Sequence, residues 1–389
     1  SPSLSSLHSF SFLMPPPTGN RRSRDSEEGR PSQSPQRKCW LAGKNKKKKA
    51  TKGSVSEESR SRNVRDWVYK HANEDCKTLS RMFNSEMKLY NDPQATTKVG
   101  ARFEDKNRYA DILCIDSTRV VLKNRKKNED YIHANWIVIP DGTKYICTQG
   151  PLDDTREDFW EMVCDEKVAI IVMLCNFVED DSEKCAKYFP ERSGEKAKYG
   201  QFTVLHNELT TARECLLDDC ATSQLTIKRE KGGAAHGVTH VLMQTWPDHL
   251  APLEAKSTVA LWRYIKRQNK GQPVIVHCSA GVGRTSTFVG FELALYTIGV
   301  KGAACKILDV IKELRKARSQ SVQSHVQFLY IHIMLFEYFA QEGLRMPREM
   351  KLVEEYKRHV MKKLAKKEEK NDEKIPTDKK SSARRDNSL

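Results

Sequence analysis

This chain has no hydrophobic run long enough to cross a bilayer, no cysteine pattern that would staple it, and no obvious export leader. The longest aliphatic run, Val168 to Leu174, is about a third of a membrane-spanning length. Near the N-terminus, Phe10 to Met14 is too short and too broken by serine for a signal-peptide core, and no basic flank precedes it. The 11 cysteines are scattered without a repeating spacing. Cys215 and Cys220 are the nearest pair, and no second pair completes a zinc-ligand pattern. The odd count argues against a disulfide scaffold and for a reducing compartment. Apolar residues are also sparse, 38% against 30% charged, which is too polar for one packed body of 389 residues. These absences exclude a disulfide framework and a membrane span. They predict a soluble, cytoplasmic protein that needs neither a metal nor another cofactor.

The polar excess is concentrated at the ends. Residues 1–63 carry 14 Lys and Arg against 5 Asp and Glu, and residues 345–389 carry 15 against 9. Of the net charge of +16, only +1 is left for residues 64–344. The expected organisation is a disordered basic N-terminal tail (1–63), a globular domain (64–345), and a basic C-terminal helix with a disordered end (346–389). The basic block Lys44–Lys49 offers a nuclear address as the alternative to a cytoplasmic one. The tails also suit an anionic membrane surface or acidic partners, and nucleic acid is a disfavoured but open partner.

Between the tails, hydrophobic period alternates. Val64, Trp67, Val68 and His71, then Leu79, Met82, Phe83 and Met87, recur at helical spacing. Strands are predicted at Val120–Leu122, Ile170–Leu174, Phe202–Leu205, Val238–Thr245 and Val274–His277. Helices are predicted at Thr155–Glu166, Leu253–Lys270, Arg284–Thr297, Cys305–Lys316 and Gln323–Phe339. The fold class is therefore α/β, one domain whose sheet pairings the periodicity leaves unordered, with a central twisted mixed β-sheet flanked by α-helices as the expected form. Beyond Pro347, the positions Met350, Val353, Tyr356, Val360 and Leu364 predict an amphipathic helix, either packed on its own domain or presented to a membrane or partner.

One segment carries chemistry. Val274-Ile275-Val276-His277 reads as a buried strand, Cys278-Ser279-Ala280-Gly281-Val282-Gly283 as a small-residue loop, and Arg284-Thr285 as the start of a helix. Unpaired N–H groups and the helix dipole favour an anion at such a junction. Gly281 and Gly283 let the backbone curl so that successive N–H groups point inward. Arg284, six positions after Cys278, is placed to close the ring with a bidentate grip on two phosphate oxygens. The same field favours the thiolate of Cys278, the nucleophile that attack on phosphorus requires. His277 and Thr285 flank the loop and are placed to hold it.

The segment His277 to Thr285 resembles the signature of the protein tyrosine phosphatase family, and the resemblance runs from roughly Asn84 to Phe339. It implies a non-receptor, single-catalytic-domain enzyme acting on phosphotyrosine-containing proteins through a phosphocysteine intermediate, without a cofactor. Trp246-Pro247-Asp248 resembles the family's mobile acid loop, with Asp248 as general acid and later base, and Trp246 as its anchor. Leu250 stands where the family usually has Gly, which implies a stiffer loop. Gln320 to Gln327 resembles the glutamine loop, in which Gln323 orients the hydrolytic water and Gln327 assists. Lys106 to Asp111 resembles the phosphotyrosine-recognition loop, with Tyr109 stacking on the substrate ring and Asp111 accepting hydrogen bonds from the peptide backbone. In Asp130 to Asn135, His133 replaces the usual Asn, which implies a weaker hydrogen-bond network. Glu179 and Lys184 match a loop beside the site and are expected to pair with Arg284 and Asp248.

Two other readings stay open. A phosphatase-like module that binds phosphotyrosine without turnover would have lost Asp248, Cys278 or Arg284, and all three are present. A dual-specificity or phosphoinositide phosphatase is disfavoured by the Tyr109 segment. It is also disfavoured by a loop, Ser279, Ala280 and Val282, that lacks extra lysines.

Overall fold

The computed structural model describes residues 55–123, 125–207, 219–348 and 350–373. Cys215, the block Lys44–Lys49, most of the expected N-terminal tail and the end beyond 373 lie outside these. In chain order, helices α1 (Glu57–His71) and α2 (Cys76–Met87) precede strands β1 (Arg119–Val121), β2 (Tyr131–Val138) and β3 (Lys144–Thr148). Helix α3 (Arg156–Asp165) and strand β4 (Ile170–Met173) follow, then the hairpin of β5 (Val178–Glu179) and β6 (Ser182–Glu183). Strands β7 (Lys196–Tyr199), β8 (Phe202–His206), β9 (Cys220–Arg229) and β10 (His236–Met243) lead to helix α4 (Lys256–Gln268) and strand β11 (Val274–His277). Helices α5 (Arg284–Lys301), α6 (Ile307–Ala317), α7 (His325–Gln341) and α8 (Lys351–Glu373) complete the chain. Among the described residues, no helix is long and apolar enough to cross a membrane.

Nine strands form one mixed sheet in the order β1-β2-β3-β11-β4-β10-β9-β8-β7. The middle four, β3, β11, β4 and β10, run parallel, and antiparallel strands extend both edges. Strand β11 is paired on both sides and buried at every residue, as its unbroken Val-Ile-Val run requires. Helix α5 packs on β3 and β11, α6 on β2, and α3 on β7 and β8. The mixed sheet with flanking helices is the architecture predicted from the sequence.

The N-terminal flank differs from expectation. Helix α1 begins at Glu57, before the boundary expected at Val64. Ser56 Oγ caps it by accepting from Ser59 N at 3.2 Å, and Glu57 and Glu58 in its first turn suit the helix dipole. Asn63, read as the end of the tail, is held to the body by its Nδ2 donating to Gly299 O at 3.0 Å, and Trp67 Nε1 donates to Cys305 O at 3.1 Å. At the other end, α8 lies on the domain, with Leu352, Tyr356 and Val360 fully buried. Tyr356 donates to Pro252 O at 2.7 Å and Glu355 Oε2 accepts from Cys76 N at 2.9 Å.

Candidate active site

Cys278 sits where the central strand gives way to α5, and the loop between them is shaped from behind. Ser279 O accepts from Gly150 N at 2.8 Å, Val282 O from Val322 N at 2.8 Å, and Gly283 O from Thr287 N at 3.0 Å. Ala280 O and Gly281 O accept from Arg318, at 3.0 and 2.6 Å. In a planar trans peptide the N–H points opposite to the C=O. With these carbonyls turned to the scaffold, the following N–H groups face the concave side. Gly281 N–H indeed points at Cys278 Sγ, 3.3 Å away. The curl needs glycine: Gly281 has φ +69°, and a Cβ there would lie 2.0 Å from Thr148 O. A Cβ on Gly283 would meet Gln323 Oε1 at 2.6 Å, so the glutamine loop closes directly over this position.

Arg284 is 1% exposed and fully engaged. Its Nη1 and Nη2 donate to the two carboxylate oxygens of Glu179 at 2.7 and 2.9 Å, a fork-to-fork pair. Nη1 also donates to Trp246 O at 3.1 Å and Nη2 to Asp248 Oδ1 at 3.0 Å. Lys184 Nζ donates to the other Asp248 oxygen at 3.0 Å. Burial pushes the Asp248 carboxyl up, but Arg284, His249 and Lys184 outweigh it and hold it below the usual range. Burial opposes the charge on Arg284 as well, yet Glu179 and the other acidic neighbours raise its pKa on balance. The acid loop is therefore folded onto Arg284. Trp246, 1% exposed, anchors it by donating to Leu250 O at 3.1 Å. Leu250 packs partly buried on the core, and the left-handed conformation falls on His249, φ +57°.

The recognition loop is fixed beside the cysteine loop. Gln149 Oε1 accepts from Arg108 N and Gln149 Nε2 donates to Lys106 O, both at 2.9 Å. Tyr109 packs against Ile112, Ala280 and Val282, and its hydroxyl lies 2.8 Å from Ser279 Oγ. Asp111 is exposed, and its carbonyl accepts from Gln320 Nε2 at 2.6 Å. Gln327 Oε1 accepts from Gln323 N at 3.0 Å, which joins the two glutamines. Among the residues singled out from sequence, Thr285 is the outlier, because its buried hydroxyl has no hydrogen-bond partner among the described residues.

His277 is tied into the core. Its Nδ1 donates to Cys278 O at 3.3 Å, so Nε2 accepts from Tyr188 OH at 2.7 Å, and Tyr188 in turn accepts from His240 Nε2 at 2.7 Å. Burial holds His277 down to about 4. The network at His133 is intact, contrary to expectation. Nε2 donates to Ile112 O at 2.7 Å and Nδ1 accepts from Arg318 Nη2 at 3.2 Å. Both ring nitrogens are satisfied in the neutral form, which burial and Arg318 enforce by lowering the pKa to about 3.

Arg318 was not legible in advance. It follows Arg315, Lys316 and Ala317 in what reads as a solvated basic run, yet it is 1% exposed. Besides the two loop carbonyls it donates to Asn135 Oδ1 at 2.9 Å. Its only sequence signal was its position just past a predicted amphipathic helix and just before the glutamine loop.

A family model described as protein-tyrosine phosphatase matches residues 103–337. Tyrosine-protein phosphatase non-receptor type 20 of Rattus norvegicus is 35% identical over 236 residues, covering 60% of this chain and 54% of that protein. Tyrosine-protein phosphatase non-receptor type 9 of Homo sapiens is 32% identical over 261 residues, covering 62% and 42%. Receptor-type tyrosine-protein phosphatase C of Homo sapiens is 33% identical over 240 residues, covering 60% and 18%. The chain thus spans about half the length, or less, of the curated relatives it matches. With the mixed sheet, the cysteine loop at its centre and a family match across most of the described body in agreement, the chain belongs to the protein-tyrosine phosphatase family.

Proposed function

We propose that this chain hydrolyses phosphotyrosine in proteins, with Cys278 as nucleophile, Arg284 as phosphate grip, Asp248 as general acid and base, and Gln323 as the residue that positions water. The observation carrying this reading is the convergence at one junction of the Cys278 loop, whose N–H groups face inward, with Arg284 held by Glu179 and Asp248 at 3.0 Å from the guanidinium.

Phosphate in the loop accepts from the inward N–H groups and Arg284. The Cys278 thiolate attacks phosphorus in line; the S–P bond forms as the P–O bond to tyrosine breaks, and Asp248 protonates the departing phenolate oxygen. Arg284 favours the ionised form of Asp248. A phosphate dianion on Arg284 offsets that field and raises the carboxyl towards the protonated form that a general acid needs. In the second step a water oriented by Gln323, with Gln327 behind it, attacks the phosphocysteine. Asp248 takes the proton, the S–P bond breaks, and inorganic phosphate leaves. Tyr109, beside Ser279, gives the site a deep aromatic wall. A phosphotyrosine ring spans that depth, and stacking there adds about 1 kcal/mol.

The test is hydrolysis of a phosphotyrosine peptide and its phosphoserine counterpart without added metal. Turnover of the first alone, abolished in Cys278→Ser and slowed in Asp248→Ala, supports the proposal. Phosphopeptide binding without turnover would instead indicate a binding module.

A further inference from the structure

A second constellation lies at the junction of α1 and α7. His71 ends α1, Glu74 follows in the turn towards α2, and His332 is buried on α7. One donor atom from each, two imidazole nitrogens and a carboxylate oxygen, lie within 4.8 Å of one another. The histidines are 5% and 2% exposed, while the Glu74 side chain is 29% exposed and opens the cluster to solvent. Trp67 stacks on His71 at 4.6 Å between ring centroids and lies 5.9 Å from His332, walling the apolar side.

The polar atoms of this cluster are poorly satisfied. His71 Nδ1 and Glu74 Oε2 approach to 2.8 Å but outside hydrogen-bond geometry. Both His71 ring nitrogens and that oxygen are buried without a hydrogen-bond partner among the described residues. Two of these atoms, His71 Nδ1 and Glu74 Oε2, face each other as an ion pair, which leaves His71 Nε2 buried with no polar partner among the described residues, a situation folded proteins rarely tolerate. His332 is arranged differently: Nδ1 donates to Phe328 O at 3.2 Å, which leaves Nε2 free to accept. Metal-binding imidazoles are oriented in this way, with the second nitrogen donating to a carbonyl.

We propose that His71, Glu74 and His332 form a three-ligand site for a zinc-class divalent ion that clamps α1 to α7. Two imidazoles and one carboxylate make a zinc donor set, with water completing the fourth position on the open Glu74 side. Magnesium and calcium demand oxygen-rich shells and do not fit two imidazoles. Tetrahedral bonds of the usual length separate donors by about 3.3 Å, between the 2.8 Å approach and the 4.8 Å limit seen here. The site shares α7 with the active site, where that helix supplies Gln327, but its other two donors come from α1 and the turn after it. It would secure the N-terminal helix rather than take part in phosphate chemistry.

The experiment uses the full chain carrying Cys278→Ser, which removes the active-site thiolate as a competing ligand. After chelator stripping, it is titrated with zinc chloride, cobalt chloride and magnesium chloride. The expected result is one zinc per chain, a rise in Tm with zinc but not magnesium, and a tetrahedral cobalt absorption band. Adding Glu74→Gln, a same-shape change at a half-buried position, should leave the metal-free Tm within a few degrees. It should weaken zinc binding at least about tenfold and remove the Tm rise. His332→Gln should do the same, and Glu74→Gln alone decides the matter if that variant fails to fold. No zinc uptake by the parent, or equal uptake by Glu74→Gln, overturns the proposal.

Discussion

Arg318 spends its whole guanidinium on the back of the Cys278 loop and on Asn135 and His133. Arg318→Met leaves four buried acceptors without that donor, so a stability loss of about 2–5 kcal/mol is expected, together with at least a tenfold fall in kcat/KM. Chemical denaturation alongside kinetics checks both. His133→Asn is a milder change. A planar amide can both donate and accept, so we expect less than about 1 kcal/mol lost and activity within about threefold. At Asp248 the sign of the pH effect is fixed by its role. The acid must carry a proton when the phenolate leaves, so kcat falls as pH rises through the carboxyl pKa in the substrate complex. Asp248→Asn should cut kcat by about 10²–10⁴ and flatten that basic limb.

Among elements, the hairpin of β5 and β6 exists in this site to present Glu179 to Arg284, and Asp180 and Asp181 take positive φ to make its tight turn. Glu179→Gln keeps the shape but removes the charge that fixes the guanidinium. A fall of about tenfold in kcat/KM is expected, together with a lower Tm, because buried Arg284 loses part of the charge that compensates its own. The elements also show which parts of the fold were legible. Strand β11 and helices α5 to α7 were readable because their apolar periods are long and unbroken. Strand β2 was not, because His133 and Asn135 interrupt its apolar run. Those two polar residues are buried because Arg318, 180 or more positions away, and the carbonyls of Ile112 and Ile115 satisfy them. Strand β9, Cys220–Arg229, was hidden by its polar alternation at the less buried side of the sheet. The start of α1 was missed because its first turns are charged, and their anchor, Asn63 on Gly299, is a contact that no local pattern announces. At the active site the local motifs around Cys278, Asp248 and Gln323 stood out, whereas Arg318 and the Tyr188 link between His277 and His240 depend on folding distant segments together.

For the whole molecule, buried neutral histidines set the acid limit of stability. His133 and His277 are depressed to about 3 and about 4, and burial, with His277 and His206, takes His240 well below its ordinary value. Their folded pKa values lie below the unfolded value near 6.5. The stabilisation is therefore complete above about pH 6.5 and is lost as pH falls towards the folded values. Each such group contributes roughly 1.4 kcal/mol per pH unit in that window. Tm should drop steeply from pH 6.5 to 5, and His133→Asn should make the slope shallower; an unchanged slope would place the acid sensitivity elsewhere. The central claim for the molecule as a whole is covalent catalysis at Cys278, and it is tested most directly by trapping the intermediate. Gln323→Ala is incubated with a phosphotyrosine peptide, quenched in acid and examined by intact and peptide-level mass spectrometry. The account predicts one phosphoryl group on the peptide containing Cys278, accumulating in this variant and absent from Cys278→Ser. Phosphate release with Cys278 never labelled, or continued turnover by Cys278→Ser, would contradict it.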